Sequence, residues 1–597
     1  MKLWNNSKRG KLPAETISAF SSFFFYYSLL FLILYIGFQI IGISHSVFFY
    51  KLFQFTTIIY ALVSLGYSIF LLFFKTNIWM RIFQIGLLII SIIYLIIAFQ
   101  WNYSLNFIGI EEKYFILIAS LGTAFISFSH KINNLGTSNI HPAVLFVLSF
   151  VVLILISAYF LSLPSSTVSG ISAIDALFTA TSAATVTGLA VLDTETTFTF
   201  FGKMVILVTI QLGGLGILTF TNLFSLLFKS TTSFKNHFIL GSMINENSTA
   251  KVYTTLSRII GVTLFIEAVG AALIYFSIHD TSLKGSKIFF SIFHAVSAFC
   301  NAGFSTLSAG MADESIQFNY QMQLVVVWLI ITGGIGYNII IRHSSITKAA
   351  FRKLLIKFNI ITNAKIIHKK SMDINLVLVV RTSLILTFLG CVSFYLLERN
   401  GVLSHDSGFS LFTSVLFNAV TPRTAGFNNI NMADLANPTL FILIFLMWVG
   451  ASPGSTGGGI KTSTFALAVL NLWNQIKGKD NTVIKMRLVP RQALNQVSAT
   501  LLLSFLGIGI ATFALTITEP DLPFLDILFE TVSAFSTVGL SVGITPSLGL
   551  DSKVIIIFAM FLGRVSFLTF LIGMYRQIYG ETRKANVYYP DETIFIN

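Results

Sequence analysis

Four times between residues 142 and 580 the chain repeats one pattern: a full-length apolar run, a shorter and weakly polar segment closing on glycine, then a second apolar run. The short segments are FTATSAATVTGLAV (178–191), FHAVSAFCNAGFST (293–306), FNAVTPRTAGFNN (417–429) and FETVSAFSTVGLSV (529–542). In each, a Ser or Thr is followed five or six residues later by Gly and then by Leu or Phe. Those glycines are Gly188, Gly303, Gly426 and Gly539, at successive separations of 115, 123 and 113 residues. One such segment says little, because small residues are common wherever membrane helices pack closely. Four in register predict four homologous modules around an axis.

Composition identifies the solvent around those modules. Of 597 residues, 55% are hydrophobic and only 10% charged, against about 25% charged in an ordinary soluble domain. Most of the chain must therefore sit in lipid, which excludes a conventional soluble enzyme, disorder and collagen-like repetition. Ahead of the repeats, apolar runs at about 20–43, 52–74, 79–100 and 113–129 approach the roughly 20 residues that a membrane span needs. The fourth is short and holds Gly122 and several serines, so a re-entrant or tilted element also fits it. The first is too long for the apolar region of a cleavable signal and is expected to stay as an anchor.

Charge sets the orientation. The formal net charge of +14 reads as Lys and Arg gathered in cytoplasmic loops rather than as a nucleic-acid surface. Residues 342–381 hold nine Lys or Arg against the single acid Asp373, and 472–496 hold five against Asp480, so both connections are predicted to be cytoplasmic. The basic opening MKLWNNSKRGK places the N-terminus on the same side. Asp193, Glu195, Asp313, Glu314, Asp406, Asp434, Glu519 and Asp521 flank the short segments, which therefore open outward. Cys300 and Cys391 lie in apolar surroundings and offer neither a disulfide framework nor a zinc cluster.

A segment of ten to fourteen residues cannot cross a bilayer, so it enters and turns back only where protein or water satisfies its backbone. Four around an axis make a pore. Glycine at the turn permits an extended, carbonyl-inward backbone, and a ring of carbonyls can replace the hydration shell of a cation. The partly negative C-terminal ends of the half-helices favour a cation over an anion.

The loops TVTGL, CNAGF, RTAGF and STVGL, with TSAATVTGLAVLDTETTFTFFGKMVILVTIQLGGLGILTF, VTPRTAGFN and GSTGGGIKTSTF, resemble those of the Trk/Ktr/HKT potassium transporters. They are most similar to the membrane subunit of the Ktr branch, over roughly residues 140–580. The resemblance implies an all-α polytopic membrane protein of four membrane-pore-membrane repeats, here 136–258, 259–381, 382–496 and 497–580. An N-terminal block of about four extra transmembrane helices would occupy 1–135, and 581–597 would form a cytoplasmic tail. It further implies potassium uptake across the plasma membrane without enzymatic activity, K+ as the transported ion and no cofactor. Two copies would pair, and a separate cytoplasmic ring of nucleotide-binding subunits would regulate them.

In that family a glycine in all four loops goes with potassium preference, while a serine replacing the first goes with sodium transport. With Gly188 in place, the expected filter comprises Thr185, Val186, Thr187, Gly188, Asn301, Ala302, Gly303, Thr424, Ala425, Gly426, Thr537, Val538 and Gly539. In GASPGSTGGGIKTST (450–464), five glycines and Pro453 cannot continue a regular membrane helix, so the chain must unwind there beside a water-filled cavity. The resemblance makes this the gating loop, with Gly454, Ser455, Thr456, Gly457, Gly458, Gly459 and Lys461 beneath the filter and Arg564 facing the pore beside it. Lys461 equally fits a side chain reaching the cytoplasmic edge.

Several features receive plainer readings. Arg423, just before a filter residue, is expected to bond behind the loop, since a free cation in the pathway would repel potassium. The paired glycines of QLGGLGILTF (211–220) and ITGGIGYNII (331–340) follow no strand, so they are expected to serve close packing inside membrane helices rather than dinucleotide binding. His294 is expected to be a hydrogen-bonded packing residue. A secondary transporter predicts two related halves and a mid-span acid, and neither is expected here. An intramembrane enzyme would need a catalytic pair that the sequence does not offer. A sodium- or proton-coupled symporter on the same architecture, or a less selective Na/K transporter, remains open.

Overall fold

The structure, a computed structural model, describes residues 62, 142–216, 252–279, 281, 285–337, 339–340, 374–479, 481–484 and 486–579. The expected N-terminal block apart from Leu62, most of the basic stretch 342–381 and the tail 581–597 lie outside the described residues.

The described chain is helical except for one two-residue hairpin, β1 (Val483–Ile484) with β2 (Arg487–Leu488). The first stretch runs α1 (Pro142–Leu161), α2 (Ala173–Thr185) and α3 (Phe200–Leu215). The second runs α4 (Val252–Ser277), α5 (Lys287–Cys300) and α6 (Tyr320–Ile335). The third has α7 (Ile374–Glu398), α8 (Phe409–Val420), α9 (Asn437–Trp448) and α10 (Thr462–Ile476). The fourth has α11 (Arg491–Thr518), α12 (Phe524–Phe535), α13 (Leu550–Val565) and α14 (Phe567–Tyr579). Among the described residues, three helices are long and apolar enough to cross a bilayer alone: Ser257–Ser277, Asn375–Glu398 and Arg491–Thr518.

Helices α2, α5, α8 and α12 have 13, 14, 12 and 12 residues. At 1.5 Å per residue each spans about 20 Å, short of a hydrocarbon core of about 30 Å. Such helices survive at membrane depth only when enclosed by protein, and they are. The phenylalanine opening each short segment, Phe178, Phe293, Phe417 and Phe529, is fully buried. Each of the four packs on the first helix of its own stretch and on a later helix of the preceding one: α5 on α3, α8 on α6, α12 on α9, and α2 back on α13. The outer faces of α4, α7 and α11 instead expose apolar side chains such as Phe265, Phe388 and Phe513, as a lipid-facing surface requires.

The second apolar runs stop sooner than the sequence suggests. Helices α3 and α6 end in Gly216 (φ 80°) and Gly336 (φ 98°), and α13 ends in Ser566 (φ 69°). The paired glycines, Gly213 with Gly214 and Gly333 with Gly334, lie inside the last turns of these helices, and the third glycine of each motif closes the helix. Their close packing is real: a Cβ on Gly213 would lie 2.1 Å from the Ala184 carbonyl oxygen, and one on Gly333 would lie 1.9 Å from that of Phe299. The last run also breaks, with α14 bent 83° from α13 at Ser566.

Candidate ion pathway

Each short helix leads, at its cap or within four residues, to a residue of positive φ: Val186 (57°), Asn301 (59°), Thr424 (65°) and Thr537 (51°). Three of these are β-branched, and a left-handed β-branched residue costs roughly 1–3 kcal/mol, which the surrounding contacts must supply. Two residues later the glycine again has positive φ: Gly188 (98°), Gly303 (68°), Gly426 (75°) and Gly539 (95°). Alternating handedness of this kind turns successive backbone groups toward one side.

The four turns meet one another in cyclic order. A Cβ on Gly188 would lie 2.4 Å from the Ala302 carbonyl oxygen, and one on Gly303 would lie 2.9 Å from that of Ala425. On Gly426 it would lie 2.2 Å from Val538 O, and on Gly539 2.1 Å from Thr187 O, which closes the ring. Any side chain at these four positions would push a carbonyl out of place. Every residue expected in the filter, from Thr185 through Gly539, is therefore in or next to these turns.

The Ser or Thr of each segment ties its turn back to the short helix. Ser182 and Ser533 accept from the N–H of Gly188 and Gly539 at 3.0 and 3.1 Å. Ser297 and Thr421 instead donate to the carbonyls of Phe304 and Phe427 at 2.8 and 2.5 Å. The two Gly-Leu loops thus use the hydroxyl as an acceptor and the two Gly-Phe loops use it as a donor.

Between α9 and α10 the chain unwinds as the glycines require, with Gly454 and Gly459 at φ 70° and 64°. Its neck is closed by bonds from Ile460 N to Trp448 O and from Thr462 N to Ala451 O. Its tip leans on the second stretch, where Ser452 N donates to Gly334 O and Tyr337 N donates to Gly454 O. Thr456 Oγ1 donates to Phe299 O at 3.1 Å, at the C-terminal end of α5. A Cβ on Gly457 would lie 2.1 Å from Thr424 Oγ1, and one on Gly458 would lie 1.9 Å from Thr537 Oγ1. The loop is therefore pressed against two of the glycine turns.

Arg564, on the last turn of α13, donates to Thr456 O and, at 2.7 Å, to Gly213 O. Arg564 thus stands beside the unwound loop, as the resemblance implied, and also bonds the first glycine pair. Lys461 Nζ donates to Gly457 O at 2.7 Å, so it points into the loop rather than away along the membrane edge. Arg423 bonds behind its turn, to Ser383 O, Ser383 Oγ and Thr387 Oγ1 on α7 at 3.3, 3.0 and 3.4 Å. His294 is buried and bonded through both ring nitrogens, to Phe290 O and Ser305 Oγ, each at 2.9 Å.

The expectation of no mid-span acid fails. Glu267 lies in the interior of α4 and is 5% exposed, accepting from Gln211 Nε2 of α3 at 3.1 Å, with Cys300 Sγ 3.9 Å from its other oxygen. Glu530, on α12, is fully buried and accepts from Thr545. Both are single acids within apolar runs, and an ionisable residue at such a position marks a functional candidate.

Helices of this length and apolarity, packed around a carbonyl-rimmed ring, define an integral membrane protein. The chain belongs to the TrkH family: the family model described as a cation transport protein matches residues 109–578. It is 35% identical over 460 residues to Ktr system potassium uptake protein B of Bacillus subtilis, covering 76% of this chain and 96% of that one. It is 32% identical over 462 residues to the potassium/sodium uptake protein NtpJ of Enterococcus hirae, covering 76% and 97%. The crystal structure of the potassium transporter TrkH from Vibrio parahaemolyticus shares the fold, with a TM-score of 0.57 at 17% identity, covering 88% of this chain and 99% of that one.

Proposed function

We propose that the chain is not an enzyme but takes up potassium through a pore of four membrane-pore-membrane modules, with the glycine turns as its filter. The observation that carries this reading is the cyclic set of glycine-to-carbonyl contacts joining Gly188, Gly303, Gly426 and Gly539. Carbonyls held so closely by protein on every side can replace water around a bare cation. In this reading the ion meets backbone oxygens of Thr185, Val186, Thr187, Asn301, Ala302, Thr424, Ala425, Thr537 and Val538. The loop from Gly454 to Gly459, held by Lys461 and Arg564, closes the path beneath them. No chemical step is needed, because an inside-negative potential contributes about 2.3 kcal/mol per charge per 100 mV.

The names of the matched relatives support potassium as the cargo. Glu267 supports a second reading, uptake coupled to sodium or protons on the same architecture, because a buried acid inside the membrane is where such an ion would bind. A homodimer, a cytoplasmic nucleotide-binding ring docking on the basic connections, and an N-terminal block of extra spans complete the proposal. Labelled rubidium uptake into liposomes holding the purified chain tests it. Uptake that potassium competes away and sodium does not supports the filter, and absence of cation flux with or without a regulatory subunit refutes it. A steep dependence on external sodium or pH, lost in Glu267→Gln, would favour the coupled reading.

A further inference from the structure

The residue after the buried phenylalanine of each short segment is polar and differs in every segment: Thr179, His294, Asn418 and Glu530. All four are buried, at 0–2% exposure. Three bond the segment leaving their own glycine turn: His294 and Asn418 at the residue eleven positions on, and Glu530 at Thr545, fifteen positions on. The His294 Nδ1 contact is with a carbonyl, which can only accept, so Nδ1 carries the proton and Nε2 of the neutral ring accepts from Ser305 Oγ at 2.9 Å. Asn418 Nδ2 donates to Asn429 Oδ1 at 2.9 Å, and Asn429 in turn donates to Gln323 Oε1 of α6 at 3.2 Å. Glu530 accepts from Thr545, whose Oγ1 lies 2.9 Å from Ser541 Oγ. Ser305, Asn429 and Ser541 stand two or three residues beyond Gly303, Gly426 and Gly539.

The first loop lacks this bond. Thr179 Oγ1 is buried without a partner, and the residue eleven positions on is Ala190. Its outgoing strand is held sideways instead: Asp193 and Glu195 accept from the hydroxyl of Ser308, beyond the second turn, at 2.5 and 3.0 Å.

We propose that His294, Asn418 and Glu530 are positioning residues that fix the outer ends of their filter loops, and that these ties help the pore discriminate potassium from sodium. The proposal rests on the filter reading above. A carbonyl ring favours the larger ion only if it resists closing around the smaller one. Restraint at the outer end of each loop supplies such resistance, and the bonds do so without touching the ion. Breaking such a bond leaves a buried polar atom unsatisfied, so the ties resist displacement.

The test uses the full chain in liposomes, measuring rubidium uptake and its competition by potassium and by sodium, with the unfolding midpoint of each variant recorded. Ser305→Ala and Asn429→Ala are each expected to lower potassium-over-sodium discrimination about fivefold, the loss matching one hydrogen bond, and to raise the KM for potassium more than they lower the maximal rate. Ser305→Thr, which keeps the hydroxyl, is expected to restore discrimination. Thr179→Val, with no bond to lose, is expected to keep it. Should either alanine variant fail to fold, Thr545→Ala, which removes the donor to Glu530, examines the fourth loop by the same measurement. Alanine variants as discriminating as wild type, or a Thr179→Val shift as large as theirs, would overturn the ties while leaving the filter reading standing. Wild-type chains that admit potassium and sodium equally would overturn the filter reading itself.

Discussion

Arg564→Met is the sharpest probe of the proposed gate. The guanidinium donates to Thr456 O in the unwound loop and to Gly213 O at the end of α3, so it clasps the loop between the first and fourth modules. Methionine matches the length of the side chain but donates nothing. Bonds from a charged donor contribute roughly 1.5–3 kcal/mol each. Taking about 3 kcal/mol for the pair, and assuming that both are released when the loop moves, the closed-to-open ratio shifts about 150-fold. A gate closed 99 times in 100 would then stand open more than half the time. Rubidium uptake into liposomes without any regulatory subunit reads this directly, with detergent melting as a check that the variant folds. A folded Arg564→Met with the unstimulated flux of wild type would refute the clasp, and a lower flux would mean that the arginine helps to hold the path open.

Three further outcomes follow from the same contacts. Gly458→Ala places a methyl 1.9 Å from Thr537 Oγ1, an overlap costing about 1–3 kcal/mol; flux should rise if the loop yields and discrimination should fall if the turn yields, and unchanged values for both in competition uptake would contradict their contact. Gly188→Ser combines φ 98° with a Cβ 2.4 Å from Ala302 O. Left-handed strain of about 1–2 kcal/mol plus the displaced carbonyl should cut potassium-over-sodium discrimination about tenfold in competition uptake. Arg423→Met removes bonds to Ser383 and Thr387; it should destabilise the fold by about 1–3 kcal/mol, read as a lower unfolding midpoint in detergent.

The turns and the unwound loop were legible in the sequence because glycine, proline and small hydroxyl residues have few other reasons to recur at membrane depth. Gly188, Gly303, Gly426 and Gly539 each answer to a neighbouring carbonyl, and Ser182, Ser297, Thr421 and Ser533 each answer to a backbone group of their own loop. The hydroxyl bonds are local and the glycine contacts recur around the ring, so both repeat with the segment. Contacts made only once between modules do not. Nothing in the run around Arg564 announces Gly213, which lies 351 residues earlier, and nothing around Glu267 announces Gln211. The 83° bend between α13 and α14 was hidden for another reason, since the left-handed residue there is Ser566 rather than the expected Gly or Pro. The different chemistry of Thr179, His294, Asn418 and Glu530 was printed in the aligned segments, but their equivalence acquires meaning only from the bonds to the outgoing strands.

The central claim is that the ring closed by the four glycine turns is where the ion loses its water. Thallium mimics potassium and scatters anomalously, so crystals of the chain grown with thallium locate the ion without reference to flux. The account predicts an anomalous peak on the axis enclosed by the carbonyls of Thr187, Ala302, Ala425 and Val538, displaced by excess potassium and not by sodium. Thallium bound elsewhere in the chain, beside Glu267 for example, with the ring empty while liposomes of the same protein still take up rubidium, would contradict it.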